Sequence, residues 1–478
     1  MSRNYFYNVL ISLTNILFPI ITFPYASHVL GPVGIGKVQF VISFAQYFAL
    51  FAALGIPLYG ITETARSKGN KDGLSKVFSE LVFLHTLVGI AFSVIYFSII
   101  LLHPFFKPDI HLYIASGLII LLGFTSVDWF YSGIERYRLI AFRSVFIKTI
   151  AVIFLFVFVK SAGDYFNYLL ILLFSLLGNN LISLLLVGKH AELKFSGLSL
   201  KRHLKPVMYI LGSNIAINMY AIWDLILLGF LTNAKTVGLY FAAIKLVKIS
   251  IPFIVSMGTS IIPALTEKFN HNDLDGAKKL LSDSFHFIIL LSVPMVVGIL
   301  LLAPEFIITF SGKEFSTATA TMRVLAILPL IIGMGHFFSM QVLVPAGLNR
   351  QMFLSTLAGA VCSLILNLLL VPSFAALGAG IANVSAELIV STFYYYYVIK
   401  TYSLEIKWDL LLKAFLCSVL FIPTVYMIRL YMSSPYSILG LSVICCFIEY
   451  TAFQWVVYKD KMLLTIMAPI TSRFSKTP

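Results

Sequence analysis

Charge is scarce in this chain. Asp, Glu, Lys and Arg make up 11% of its 478 residues, against 59% apolar residues, and the mean hydropathy is +0.95. A composition this poor in charge leaves no soluble domain able to house nucleotide hydrolysis or enzyme chemistry. Cysteine is nearly absent too. The four present, Cys362, Cys417, Cys445 and Cys446, all lie in apolar stretches without metal-ligand spacing and read as packing residues. Period-2 alternation is missing, and the run from Val152 to Val159 is apolar on every side. That excludes a membrane β-barrel and leaves helices, the other structure whose backbone satisfies itself in lipid. The first apolar run is not followed by a small-x-small cleavage site, so an uncleaved start-transfer helix is expected.

What is present is a succession of about fourteen apolar stretches near the length that crosses a bilayer as a helix. They are expected near 6–28, 38–60, 78–102, 111–133, 140–160, 166–188, 207–231, 238–264, 284–303, 321–345, 352–372, 378–398, 410–430 and 437–457. The connections on the side that holds both ends carry 24 Lys and Arg, counting those at span ends; the opposite side carries seven, and Lys148, Lys245 and Lys248 lie inside spans. Lys and Arg accumulate on the cytoplasmic side of membrane proteins, which puts both termini in the cytoplasm. The same bias accounts for the net charge of +14 without a nucleic-acid partner.

The connection at 189–206 is long and basic and divides six spans from eight. Two six-helix halves related by an internal repeat are a common transporter plan. A faint echo exists: Asn15 precedes Gly36 by about as much as Asn218 precedes Gly238. The expected organisation is an N-terminal lobe over 1–188, a basic cytoplasmic linker over 189–206, a C-terminal lobe over 207–398, and two added helices with a cytoplasmic tail over 399–478. In that tail Lys459, Lys461, Met462, Leu463 and Leu464 would suit the membrane surface, or a free end.

The segment Gly31 to Lys37 fits the phosphate-loop pattern G-x-x-x-x-G-K, but Val38 stands where the magnesium-holding hydroxyl belongs and no buried strand precedes it. It reads as a turn between spans. Pro19 and Pro24 interrupt the first span, which is either a static kink or a bending point. Charges inside the hydrocarbon are costly and mark cavities or pairs. Asp224 and Lys245 are placed at similar depth on consecutive spans and could neutralise each other. Lys248, deeper on the same face as Lys245, and Lys148 in the other half are better placed for an anionic substrate. Arg143 and Arg323 flank the hydrocarbon, as snorkelling anchors or as ligands. Glu387, Asp224 and Asp128 are the carboxylates that could couple transport to an ion, or else satisfied core groups. His85 and His336 read as packed histidines, and Tyr394 to Tyr397 as an interfacial aromatic belt. No residue pattern calls for a cofactor or metal.

Two segments carry a resemblance. Phe23-Pro24-Tyr25-Ala26-Ser27-His28-Val29-Leu30-Gly31-Pro32-Val33-Gly34-Ile35-Gly36 resembles the end of the first helix and the following turn of bacterial polysaccharide flippases. Asp128-Trp129-Phe130-Tyr131-Ser132-Gly133-Ile134-Glu135, followed by Arg143, resembles their fourth-to-fifth helix segment. In topology the whole chain is similar to O-antigen flippases of the Wzx type, in the MOP exporter superfamily. The resemblance implies an all-α integral membrane protein with two six-helix lobes around a central cavity plus two C-terminal helices. It implies a non-enzymatic flippase of the bacterial inner membrane that moves an undecaprenyl-pyrophosphate-linked glycan from the cytoplasmic to the periplasmic leaflet by alternating access. Its implied partners are that glycan, membrane lipids and other polysaccharide-assembly proteins. The pyrophosphate would suit Lys248, Lys148, Lys245, Arg143 and Arg323, with Asn15 beside them. His28 departs from the family, where Arg is common. An ion-coupled multidrug exporter of the same superfamily is the alternative, and Glu387, Asp224 and Asp128 would serve it.

Overall fold

The computed structural model describes the backbone of residues 2–460, apart from 272 and 403–407, together with residue 462; side chains are described over the same set except 2–5, 209 and 212–221. The expected surface segment at Lys461, Leu463 and Leu464, and the side chain of Asn218, fall outside it. Among the described residues every regular element is helical.

The helices are α1 Ser2–Ala52, α2 Ile56–Arg66, α3 Lys71–Leu102, α4 Ile110–Leu121, α5 Asp128–Gly133, α6 Tyr137–Phe158, α7 Tyr165–Leu173, α8 Asn179–Val187 and α9 Lys201–Leu231. They continue with α10 Ala234–Lys248, α11 Ile251–Asn270, α12 Leu274–Ser311, α13 Ala318–Leu325, α14 Leu328–Phe338, α15 Asn349–Thr401, α16 Asp409–Val419, α17 Phe421–Tyr431 and α18 Pro435–Val456. Two π-helical turns, Phe174–Gly178 and Ser339–Leu343, join α7 to α8 and extend α14.

Among the described residues, nine helices are long and apolar enough to cross a membrane, or eleven if each of two bent pairs counts as one span. That is fewer than the expected fourteen, for reasons visible in the chain. α1 runs on through the first predicted turn, broken within by Gly31 at φ 64, a conformation glycine adopts without steric cost. α15 likewise contains two predicted spans across a break at Ala375, φ 49. The predicted spans at 111–133 and 238–264 are each a pair bent by 44°. Within α9 the short apolar stretch is Ile222–Leu231. Large apolar side chains such as Leu87, Phe146, Leu369 and Phe447 stay exposed on the helices, as lipid-facing residues do. The protein is a multi-pass membrane protein.

The chain forms two compact units, Met1–Gly238 and Leu239–Pro478, so the boundary falls within α10. In the first unit α1 packs against α3, α4, α6, α7 and α9. The closest approach involves Gly36 and Gly238. A Cβ on Gly36 would lie 1.7 Å from the Ala234 carbonyl oxygen, and one on Gly238 would lie 1.9 Å from the Pro32 carbonyl oxygen. Each glycine thus sits on the carbonyl four residues before the other, a reciprocal contact open only to residues without a side chain.

The basic stretch before α9 is docked rather than loose. The N–H of Glu192 donates to Ser75 Oγ at 3.0 Å, that of Lys194 to Ser79 Oγ at 2.8 Å, and that of Ser199 to Glu80 Oε1 at 2.7 Å. Glu80 is fully buried and also receives Arg202 and the His203 ring, whose other nitrogen meets the Tyr59 hydroxyl at 2.9 Å. At the stretch's exposed edge Lys71 bonds Glu192 and holds that carboxyl below the ordinary range.

In the second unit α12 packs against α11, α13, α14, α16 and α18, and α15 against α13 and α14. Arg429 on α17 clips to Glu305 on α12 at 2.8 Å.

Candidate functional site

The first unit encloses a cavity of about 240 Å³ whose polar lining is Asn15, Asp128, Ser144, Lys148, Ser175 and Asn179. Three elements supply it by helical spacing. α1 presents Ile11, Asn15 and Phe18; α6 presents Ile140, Ser144 and Lys148; the segment through the first π turn presents Leu172, Ser175, Leu176 and Asn179. A π turn carries one more residue than the α-helical turn and so rotates the residues beyond it. Asp128 comes from the start of α5, which lies tightly on α2: a Cβ on Gly60 would strike the Trp129 ring at 2.5 Å, and one on Gly133 would strike Thr64 at 2.5 Å.

The electrostatics of the cavity depend on which groups bond to each other. Lys148 Nζ donates to Asn15 Oδ1 and lies over the Phe18 ring. Arg143 Nη2 donates to Asp128 Oδ1 at 2.5 Å and its Nε to Asn179 Oδ1 at 2.9 Å. The Ser183 hydroxyl also donates to Asp128, at 3.0 Å, while its carbonyl accepts from Tyr131. The acid lining the cavity is therefore already matched by a buried guanidinium, and Lys148 has no carboxylate partner among the described residues. Both asparagines accept from cations through their carbonyl oxygens, so what each side-chain amide has left to offer is chiefly its NH2 donors. Asn15, Asn179, Ser144, Ser175 and Lys148 line the same small space. That donor-rich lining suits an anion and opposes a cation.

Four of the residues expected from sequence, Asn15, Lys148, Asp128 and Arg143, are thus brought together. Arg143, expected as an anchor or a ligand, has a side chain that is 3% exposed and bonds Asp128 and Asn179 from behind the cavity wall. Its Nη1 is buried without a partner. Asp224 is buried in α9 and does not line this cavity. Lys245 and Lys248 occupy the last turn of α10, at the bend into α11, half-buried, with Lys245 over the Phe241 ring. Arg323 is exposed on α13, in keeping with an anchor, and Glu387 is buried in α15. Sequence reasoning missed Ser144, Ser175 and Asn179. The pair Asn179-Asn180 inside an apolar run was the available signal; the π turn has none.

The profile of the family described as polysaccharide biosynthesis protein matches residues 1–269. The chain belongs to that family. Within and around the family, an Escherichia coli (strain K12) protein named for O-antigen transport is 23% identical over 405 residues, covering 82% of this chain and 95% of the relative. Among solved structures, the lipid II flippase MurJ in an inward closed conformation superposes with a TM-score of 0.73 at 14% identity, over 95% of this chain and 99% of MurJ. An inward-facing multidrug resistance MATE transporter of the MOP superfamily reaches 0.63 at 16% identity, over 80% of this chain and 94% of its own. These likenesses show that the chain shares the fold of those two transporters. The resemblance read from Phe23–Gly36 and Asp128–Glu135 lies wholly inside the matched stretch.

Proposed function

We propose that the protein is a flippase for a lipid-linked glycan, an O-antigen or related repeat unit on undecaprenyl pyrophosphate. It would pass the glycan from the cytoplasmic to the periplasmic leaflet of a bacterial inner membrane by alternating access, with both termini cytoplasmic. The family match and the O-antigen transporter relative support the lipid-linked glycan. One observation carries the chemistry: a cavity whose acid is paired with Arg143 and whose other polar lining is Lys148 and neutral hydroxyl and amide groups. A phosphate group entering it would meet charge-assisted hydrogen bonds from Lys148 and neutral ones from Asn15, Asn179, Ser144 and Ser175. The cavity takes the anionic headgroup and not the sugar chain, so glycan selectivity must come from elsewhere. A multidrug exporter carrying cations would require the opposite lining.

The test is transport by the reconstituted protein, tracking exposure of an undecaprenyl-pyrophosphate oligosaccharide on each leaflet. Loss of movement in Lys148→Ala, with recovery in Lys148→Arg, is expected. Unchanged movement in Lys148→Ala removes the cavity from the mechanism. Efflux of a cationic dye without glycan movement replaces the assignment by the drug exporter.

A further inference from the structure

We propose that the second unit holds a proton-binding site made by His336 and Gln341. The proposal rests on the transport reading above and names the ion that would drive it. Gln341 is fully buried, and neither its Oε1 nor its Nε2 has a partner; His336 Nδ1 is also buried without one. A buried amide unsatisfied at both ends is costly, so a native chain keeps one where an occupant or a second state uses it.

The backbone has been arranged to put the two groups side by side. They are five residues apart in the apolar span Ala318–Leu343. In an α-helix such residues point about 140° apart. Here the π turn Ser339–Leu343, closed by Val344 N–H to the Ser339 carbonyl at 2.9 Å, rotates Gln341 back toward the face of His336. Gly258 on α11 clears the room. A Cβ there would lie 2.0 Å from Gln341 Nε2 and 3.4 Å from His336 Cε1. Among the described residues a second π turn, Phe174–Gly178, contributes Ser175 to the lining of the first unit's cavity.

Neutral imidazole offers one donor and one acceptor. A proton taken from water makes both ring nitrogens donors, and Nδ1–H then finds its acceptor in Gln341 Oε1; release to water reverses the step. On the helices packed against this segment, α15 contributes Glu387 and Tyr394, the latter bonded to Thr356 at 2.8 Å. α12 contributes His286, already paired with Asp460 at 2.6 Å. α11 carries charge only at Glu267 and Lys268, in its last turns.

The experiment uses the full-length protein in vesicles containing an undecaprenyl-pyrophosphate oligosaccharide, with and without an imposed pH gradient. Wild type, His336→Gln and Gln341→Leu are compared, and their thermal unfolding is measured between about pH 5 and 8. A gradient should accelerate flipping by wild type, and both variants should lose that acceleration. The unfolding difference between wild type and His336→Gln should titrate across the range. Full gradient response in both variants, wild-type movement indifferent to the gradient, or parallel unfolding curves overturn the proposal. If wild type moves no glycan while the unfolding difference still titrates, the transport reading falls and the proton site stands.

Discussion

Replacing Gly36 by alanine should destabilise the protein, although alanine is the better helix former. In an ordinary helical position the exchange gains up to about 1 kcal/mol. Gly36 has no positive φ to protect, so the whole effect depends on space. The added Cβ would stand 1.7 Å from the Ala234 oxygen, 2.7 Å from its carbonyl carbon and 2.8 Å from the Gly238 nitrogen. Relaxed C···O contacts need about 3.3 Å, so the two helices must part by roughly 1.5 Å. The obstacle is backbone on both sides, which no rotamer change relieves. Overpacking against backbone that cannot change rotamer belongs at the upper end of the usual range, about 3 kcal/mol. Gly238→Ala should do the same against Pro32, and the double variant should cost less than the two losses added, because a single separation relieves both clashes.

The assay is thermal unfolding in detergent, with Gly298→Ala as the internal control. Gly298 lies within α12 with nothing within 4 Å of a built Cβ, so that change should hold or raise the midpoint. Gly36→Ala should lower it by several degrees. Equal shifts for the two variants would refute the reasoning, since the contact would then not constrain the fold.

Named bonds give three further expected outcomes. Asp128→Asn should cost about 3 kcal/mol, because the buried Arg143 guanidinium loses its counter-charge, and Arg143→Met in the same chain should recover part of it; a urea or thermal midpoint measures both. Glu80→Gln should release the docked stretch before α9, seen as faster hydrogen exchange at the amides of Glu192, Lys194 and Ser199. The backbone N–H groups of Lys160 and Ser161, with the Ser161 hydroxyl, hold the Asp164 carboxyl below its ordinary value. Its folded pKa is depressed, so its contribution is present above about pH 4 and lost as pH falls further; Asp164→Asn should flatten that acid limb of the unfolding profile.

The fold was legible because hydrocarbon leaves few choices. Long apolar runs can satisfy their backbones only as helices, and Gly, Pro and charge mark where those helices break. The pattern does not tell whether a turn ends a helix or merely bends it. Gly31 and Gly55 both carry positive φ, but the first bends α1 while the second caps the start of α2 after α1 has ended at Ala52. The echo between Asn15–Gly36 and Asn218–Gly238 was read as a hint of repeated halves and gave no sign that the two glycines lie against one another. That contact depends on two chains of carbonyls meeting, and a one-dimensional pattern records only that a side chain is missing.

The site was half legible for a related reason. Lys148, Asp128 and Asn15 stand out because polar groups in hydrocarbon are expensive. Their roles depend on partners far away in sequence. Arg143, near a span end, read from the sequence as an anchor or a ligand; in the structure it is buried and bonded to Asp128 and Asn179, pairing with the acid in the cavity wall. That pairing decides what the cavity can hold. With Asp128 unpaired, the space would offer a carboxylate and an ammonium and would discriminate poorly between ions. With Arg143 behind it, the unpaired charge left in the lining is that of Lys148, and on the function proposed above a buried residue that touches no substrate would set the sign of charge the cavity favours.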